Sequence, residues 1–208
     1  MIGRVRAALP DSAVVVVDDG SADETGGLAA RAGALVIRHD RNAGKGAALA
    51  TGIGRALRDG AATILTLDAD GQHPPDALPL LLGQLSEGVV DLVLGARERS
   101  AAMPASRRFT NWLSAGVAGR IAGTPIPDAQ TGLRAFSRRL AADVTPRIAR
   151  YTRYEYEAAF LLAALRAGYG VRSVTIPTIY DGQPSHFRGL ADGWRVTRVF
   201  ARYLFGAA

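Results

Sequence analysis

The side chains best placed to do chemistry are two carboxylates in the tetrapeptide Asp68-Ala69-Asp70-Gly71. They follow the apolar run Ala62-Thr63-Ile64-Leu65-Thr66-Leu67, whose length and bounding turn residues predict a buried strand. Asp68 and Asp70 then stand at that strand's carboxyl end, where ligands bind in open α/β sheets. Carboxylates this close repel each other unless a positive charge joins them. A divalent cation with oxygen ligands, Mg²⁺ or Mn²⁺, does so and in turn grips a phosphate-bearing substrate. Gly71 lets backbone and ligand approach closely. Taken alone, the same four residues also make an ordinary capped turn. No acidic ligand follows at the spacing an EF-hand needs, and Gln72 stands where an aspartyl phosphatase carries Thr.

Two other stretches carry similar potential. Asp18-Asp19-Gly20-Ser21-Ala22-Asp23-Glu24-Thr25 closes the first predicted strand. Ser21 or Asp23 can cap the helix that follows. Asp18 and Asp19 are not needed for that cap, and acidic groups at such a position accept hydrogen bonds from ribose hydroxyls or base N–H groups. Arg41-Asn42-Ala43-Gly44-Lys45-Gly46-Ala47-Ala48 opens the next helix with glycines and the chain's only lysine. That offers an anion backbone N–H groups, a helix dipole and an ammonium. The glycine spacing is not that of a Walker loop, and a plain glycine turn before a helix is the alternative.

These residues need a scaffold, and the sequence supplies alternating elements. Strands are expected at Ala13–Val17, Ala34–Ile37, Ala62–Leu67 and Val89–Leu94. Helices are expected at Asp23–Arg31, at Lys45–Leu57, and from Pro74-Pro75 to about Leu85. This βαβαβαβ order predicts an α/β, doubly wound, mainly parallel sheet. Beyond Gly95 the pattern reads as a helix over Ala105–Ile121, a turn-rich stretch over Gly123–Phe136, a helix over Tyr154–Arg166, a strand over Val171–Ile176 and a last helix from about Leu190 to Leu204. Tyr154, Glu155 and Tyr156 read as a partly buried helix face. With no repeat or linker, residues 1–208 are expected to form a single domain.

Composition narrows the classes. The chain has 208 residues, 48% of them hydrophobic, a net charge of +6 and no cysteine. That excludes disorder, disulfides, thiolate catalysis and cysteine-type zinc sites. No apolar stretch reaches the length of a membrane span, and no signal peptide is visible, so a cytoplasmic location is expected. A basic balance suits nucleic acid, anionic membranes or phosphorylated small molecules. No nucleic-acid-binding motif is present.

In combination the three stretches are far more specific than singly. A strand ending in DDGSxDxT, then NxGKGxA, then a strand ending in DADGQHxP resembles the family 2 glycosyltransferases of the GT-A fold, especially the dolichol-phosphate mannose synthases and related polyprenyl-phosphate glycosyltransferases. Further segments carry the likeness: Asp91-Leu92-Val93-Leu94-Gly95-Ala96-Arg97, Arg107-Arg108, Asp128-Ala129-Gln130-Thr131-Gly132-Leu133-Arg134-Ala135-Phe136 and Ser185-His186-Phe187-Arg188. The resemblance implies a metal on Asp68 and Asp70 with Gln72 as a further ligand. It implies donor contacts from Asp18, Asp19, Asp68 and the turn at Gly44-Lys45-Gly46. It implies an acceptor phosphate held by Arg107 or Arg108 together with Arg134, under a loop carrying Ser185, His186 and Arg188. Arginine suits that task because its planar fork grips phosphate in bidentate fashion.

The implied reaction moves a hexose, mannose or glucose, from a nucleoside-diphosphate sugar such as GDP-mannose or UDP-glucose to a polyprenyl or dolichyl phosphate. Inversion at the anomeric carbon and Mg²⁺ or Mn²⁺ dependence go with it. Asp70 and Arg134 would be the catalytic pair. Transfer to a glycan or protein hydroxyl, or an inactive member of the family, are the rival readings. The basic amphipathic helix over residues 190–205 places Val196, Val199, Phe200, Tyr203 and Leu204 on one face, flanked by Arg195, Arg198 and Arg202. It suits peripheral contact with the inner membrane face, or packing on the protein's own core. The family's first strand, which ends in Asn-Glu and lies centrally in the sheet, has no counterpart here, so an upstream extension is expected.

Overall fold

The computed structural model describes residues 1–85, 89–97, 115–121, 123, 125–177, 189–204 and 206. The chain runs α1 (Ile2–Ala8), β1 (Val15–Asp18), α2 (Thr25–Arg31), β2 (Leu35–Arg38), α3 (Lys45–Arg58) and β3 (Thr63–Thr66). A 3₁₀ turn at Pro75–Ala77 leads into α4 (Leu78–Gln84), and β4 (Leu92–Arg97) follows. Helix α5 covers 115–121. Then come β5 (Arg134–Ser137), α6 (Arg138–Arg147), α7 (Glu155–Arg166), β6 (Val171–Ile176) and α8 (Gly189–Leu204).

The strands form two sheets. β1 and β2 pair in parallel, and the other four lie in the order β3-β5-β4-β6. β4 and β6 are parallel, whereas β5 runs antiparallel to both of its neighbours. The expected parallel, α/β character therefore holds with one reversed strand at its centre. No ladder joins β1 to β3 among the described residues; α3 packs against both.

Alternation along the strands divides the core. Ile64, Leu92, Leu94 and Phe136 face one layer with α3, α6, α7 and α8. Leu65, Val93 and Ala135 face the other, with α4 and α1. This is the two-residue period of a sheet covered on both sides. β4 is buried over its first five residues, as its unbroken apolar run requires. α7 is buried from Glu155 to Ala164, so it lies within the core.

Some boundaries move. β4 begins at Leu92, where its pairing with Phe136 and Val171 starts, and Val89 is 71% exposed. β5 and α6 replace the end of the expected turn-rich stretch and the unassigned residues after it. Ser137 caps α6 by accepting a hydrogen bond from Leu140 N–H, and Leu140, Ala141 and Val144 bury its inner face. The expected helix over Ala105–Ile121 lies outside the described residues except for 115–121. α8 is placed by packing: Val196, Val199 and Phe200 are buried in the main core. The apolar face that suited membrane insertion is thus already covered by the protein.

Candidate active site

β3 and the helices behind it converge on Asp68. Lys45, the first residue of α3, places its Nζ 2.8 Å from Asp68 Oδ2 and 3.1 Å from Glu157 Oε1. Glu157 comes from the first turn of the buried helix α7 and its side chain is 6% exposed. Burial alone would lower the Lys45 pKa, but the Glu157 and Asp68 carboxylates outweigh it and hold the ammonium above its ordinary range. Burial pushes Asp68 up, yet Lys45 keeps it below the usual carboxylate range. Glu157 shows the opposite balance: burial wins over Lys45 and raises it.

Close packing fixes Asp68. A Cβ at Gly132 would sit 2.6 Å from the Asp68 carboxylate carbon and closer still to Oδ2. Only glycine leaves that carboxylate its place. Asp70 lies on the exposed part of the same turn, where its Oδ1 accepts from Gln72 N–H at 3.0 Å.

The first acidic pair is engaged within the protein. Asp19 Oδ1 accepts from Ala43 N–H at 2.9 Å and lies 2.7 Å from His39 Nδ1. Its Oδ2 accepts from Gly44 N–H at 2.8 Å, and His39 Nε2 continues to Thr51 Oγ1 at 3.0 Å. Asp18 is buried, accepts from Ser21 N–H at 2.8 Å and sits 3.1 Å from Arg38 Nη1. So the anion that meets the glycine loop here is Asp19 itself.

The glycines serve packing as well. Ala47 N–H donates to Thr152 O at 3.0 Å. A Cβ at Gly46 would fall 2.7 Å from Tyr156 Cβ. The loop is thereby pressed onto the start of α7, which is what brings Lys45 to Glu157.

Arg134, the expected acceptor clamp, is engaged by backbone carbonyls of the protein itself. It is 3% exposed, and its Nε, Nη1 and Nη2 donate to the backbone carbonyls of Thr131, Glu157 and Ala129 at 2.8, 2.7 and 3.0 Å. Its fork is turned inward and filled with carbonyls, so it braces the site from behind. Arg107, Arg108, Ser185, His186 and Arg188 lie outside the described residues.

Two residues here were not singled out from the sequence. One is Glu157. The other is His73, which is 2% exposed with neither ring nitrogen hydrogen-bonded among the described residues. Burial holds its pKa below that of an ordinary imidazole, against the pull of Asp68. Its place directly after Gln72 was the available signal.

Sequence comparison decides what this constellation belongs to. Residues 2–145 match glycosyl transferase family 2. The chain belongs to that family. Over 172 residues it is 38% identical to an uncharacterised protein of Methanocaldococcus jannaschii, covering 80% of this chain and 70% of the relative. Over 186 residues it is 31% identical to the polyprenol monophosphomannose synthase of Mycolicibacterium smegmatis, covering 85% and 70%. Among solved structures, the glucosyl-3-phosphoglycerate synthase of Mycobacterium tuberculosis in complex with Mn²⁺, UDP-glucose and phosphoglyceric acid matches with a TM-score of 0.64 at 19% identity, over 98% of this chain and 83% of that one. The likeness is one of fold: this family 2 chain has the GT-A architecture.

A divalent ion fits these residues only in one manner. Among the described residues no three acidic or histidine side chains group to enclose an ion. Mg²⁺-type sites commonly use one or two carboxylates and take their other ligands from water and substrate phosphates. Asp68 and Asp70 suit that shared arrangement, with Asp68 already holding a cation in the form of Lys45.

Proposed function

We propose that this glycosyltransferase moves a hexose from a nucleoside-diphosphate sugar to a polyprenyl phosphate, with inversion and with a divalent cation on Asp68 and Asp70. The observation that carries the reading is the Asp68–Asp70 turn at the carboxyl end of β3, with Asp68 fixed by Lys45 and Gly132. It stands in a chain related to a polyprenol monophosphomannose synthase. UDP or GDP sugars of glucose or mannose are the donors to test, and Mg²⁺ or Mn²⁺ the ions.

When bound, the metal supplies positive charge to the leaving diphosphate as the sugar becomes oxocarbenium-like. The chain's own residues set the frame. Lys45 and Glu157 fix the neighbourhood of Asp68, and Asp19 holds the loop from which Lys45 projects. An acceptor phosphate is ionised at neutral pH and needs aiming rather than deprotonation. Arg107, Arg108, Ser185, His186 and Arg188 are the proposed acceptor residues, and Arg134 supports them from the interior.

The test is transfer by the purified chain from radiolabelled UDP- or GDP-hexose to a short-chain polyprenyl phosphate. A labelled phospholipid sugar is expected, and Asp70→Ala is expected to lower the rate by about 10²-fold or more, about 3 kcal/mol. Transfer to a sugar or serine hydroxyl instead would overturn the acceptor assignment. Undiminished turnover by Asp70→Ala would overturn the metal assignment.

A lipid acceptor calls for approach to a bilayer. No helix among the described residues is long and apolar enough to cross one. The charge is segregated: residues 1–137 hold fourteen basic and fourteen acidic side chains, whereas 138–208 hold eleven arginines and five carboxylates. On α8 the outward face carries Trp194, 65% exposed, with Arg195, Arg198 and Arg202. Each arginine near anionic lipid contributes about 1 kcal/mol, and Trp suits the interface. Co-sedimentation with phosphatidylglycerol vesicles is expected and should weaken several-fold in Trp194→Ala and Arg198→Glu. Equal binding to neutral phosphatidylcholine vesicles would remove this surface from the mechanism.

A further inference from the structure

Lys45 holds an unusual position for a side chain that an anionic donor is expected to meet. Its ammonium lies between two carboxylates from different elements, Asp68 Oδ2 at 2.8 Å and Glu157 Oε1 at 3.1 Å. Asp68 is one of the two carboxylates proposed for the metal, and Glu157 is not. Glu157 Oε1 is buried and makes no hydrogen bond among the described residues, so the ammonium is what compensates it. Both anchors are rigid. The stem of Lys45 lies between Gly44 and Gly46, which are pressed on residues 151–156, and Glu157 stands in the buried first turn of α7.

We propose that Lys45 is a movable counter-ion of the active site: it neutralises Asp68 while no divalent cation is bound, and passes wholly to Glu157 when one takes Asp68. This deepens the metal reading above and rests on it. A dication on Asp68 repels an ammonium a few ångströms away. Without a second partner, that ammonium would have to stay beside the ion or lose its carboxylate partner with its side chain only 23% exposed, and both oppose metal binding. Glu157 removes the conflict, because it is already within reach and needs no backbone movement. The exchange also keeps Glu157 compensated in both states. A lysine suits the task, being a compact charge with rotatable donors on a flexible stem, whereas an arginine fork would lock both carboxylates together. All other basic side chains but the histidines in this chain are arginines. Lys45 is thus a positioning residue that sets how readily the carboxylate accepts its ion.

The test is Mn²⁺ binding to the protein alone, read by electron paramagnetic resonance, with thermal melts to show that each variant is folded. Lys45→Met is expected to bind Mn²⁺ about tenfold more tightly, since Asp68 loses its competitor. Glu157→Gln is expected to bind about tenfold more weakly, since Lys45 loses its refuge. In the Lys45→Met background, Glu157→Gln should have no effect. Unchanged affinity in Glu157→Gln, or the same loss with and without Lys45, overturns the exchange and leaves the metal site standing. A wild-type chain that binds no Mn²⁺ overturns the metal reading itself, and the exchange with it. Lys45→Arg is the variant nearest in shape and charge. It should bind Mn²⁺ more weakly than wild type, and equal or tighter binding counts against a lysine-specific exchange.

Discussion

Arg134→Met should cost about 3–5 kcal/mol of folding stability, the scale of removing one partner from a buried charged network. The guanidinium is 3% exposed and satisfies the carbonyls of Ala129, Thr131 and Glu157. Methionine fills much of the volume but donates to none of them. Each carbonyl left buried without a donor costs about 1–3 kcal/mol where water cannot reach it. The charge balance shifts too. Lys45 and Arg134 are cations beside the buried carboxylate Glu157, and losing one leaves that carboxylate less compensated. Urea unfolding followed by circular dichroism measures the loss, as a lower midpoint with an unchanged slope. A variant within about 1 kcal/mol of wild type that fails only with the lipid acceptor would restore Arg134 to the phosphate.

That residue illustrates where the sequence is legible and where it is not. β3 and its acidic turn are readable because an apolar run followed by carboxylates and glycine has few structural solutions. β4, α3, α7 and β6 are readable for the same local reasons of period and punctuation. β5 is not, because Arg134-Ala135-Phe136-Ser137 is short and begins with a charge. Nothing in the local pattern says that an arginine will be buried, since its acceptors are carbonyls placed by folding. α6 hides behind two leading arginines and an internal Pro146, although the cap at Ser137 and the spacing of Leu140, Ala141 and Val144 did mark it. On α8 the amphipathic period is correct but does not name its cover; the core takes the apolar face and leaves Trp194 outside. Asp19 shows the same limit. Its type and place fit a ligand contact, yet its partners are His39 and the N–H groups of Ala43 and Gly44 in the glycine loop. Glu157 has no local signal at all, because its partner Lys45 is distant in sequence.

Gly132→Ala should abolish most of the transfer activity while leaving the protein folded. The glycine lies in the turn before β5, and the added methyl group would occupy space now held by the Asp68 carboxylate, 2.6 Å from its carbon. Real side chains do not tolerate that approach, so one of the two must move. Gly132 O accepts a hydrogen bond from Thr66 Oγ1 at 3.0 Å, and the neighbouring Thr131 and Leu133 are fully buried, so the backbone is held. The carboxylate is the softer partner. Its rotation breaks the 2.8 Å contact with Lys45 Nζ and moves Oδ2 from its present place. If Asp68 carries the ion as proposed, the loss is that of a preorganised electrostatic group, about 10²–10³-fold in rate. Overpacking adds about 1–3 kcal/mol of destabilisation, which a chain of ordinary stability survives. Donor turnover and a thermal melt on the same preparation separate the two effects. Full activity in a folded Gly132→Ala chain would mean that the present position of Asp68 is not the one the reaction uses.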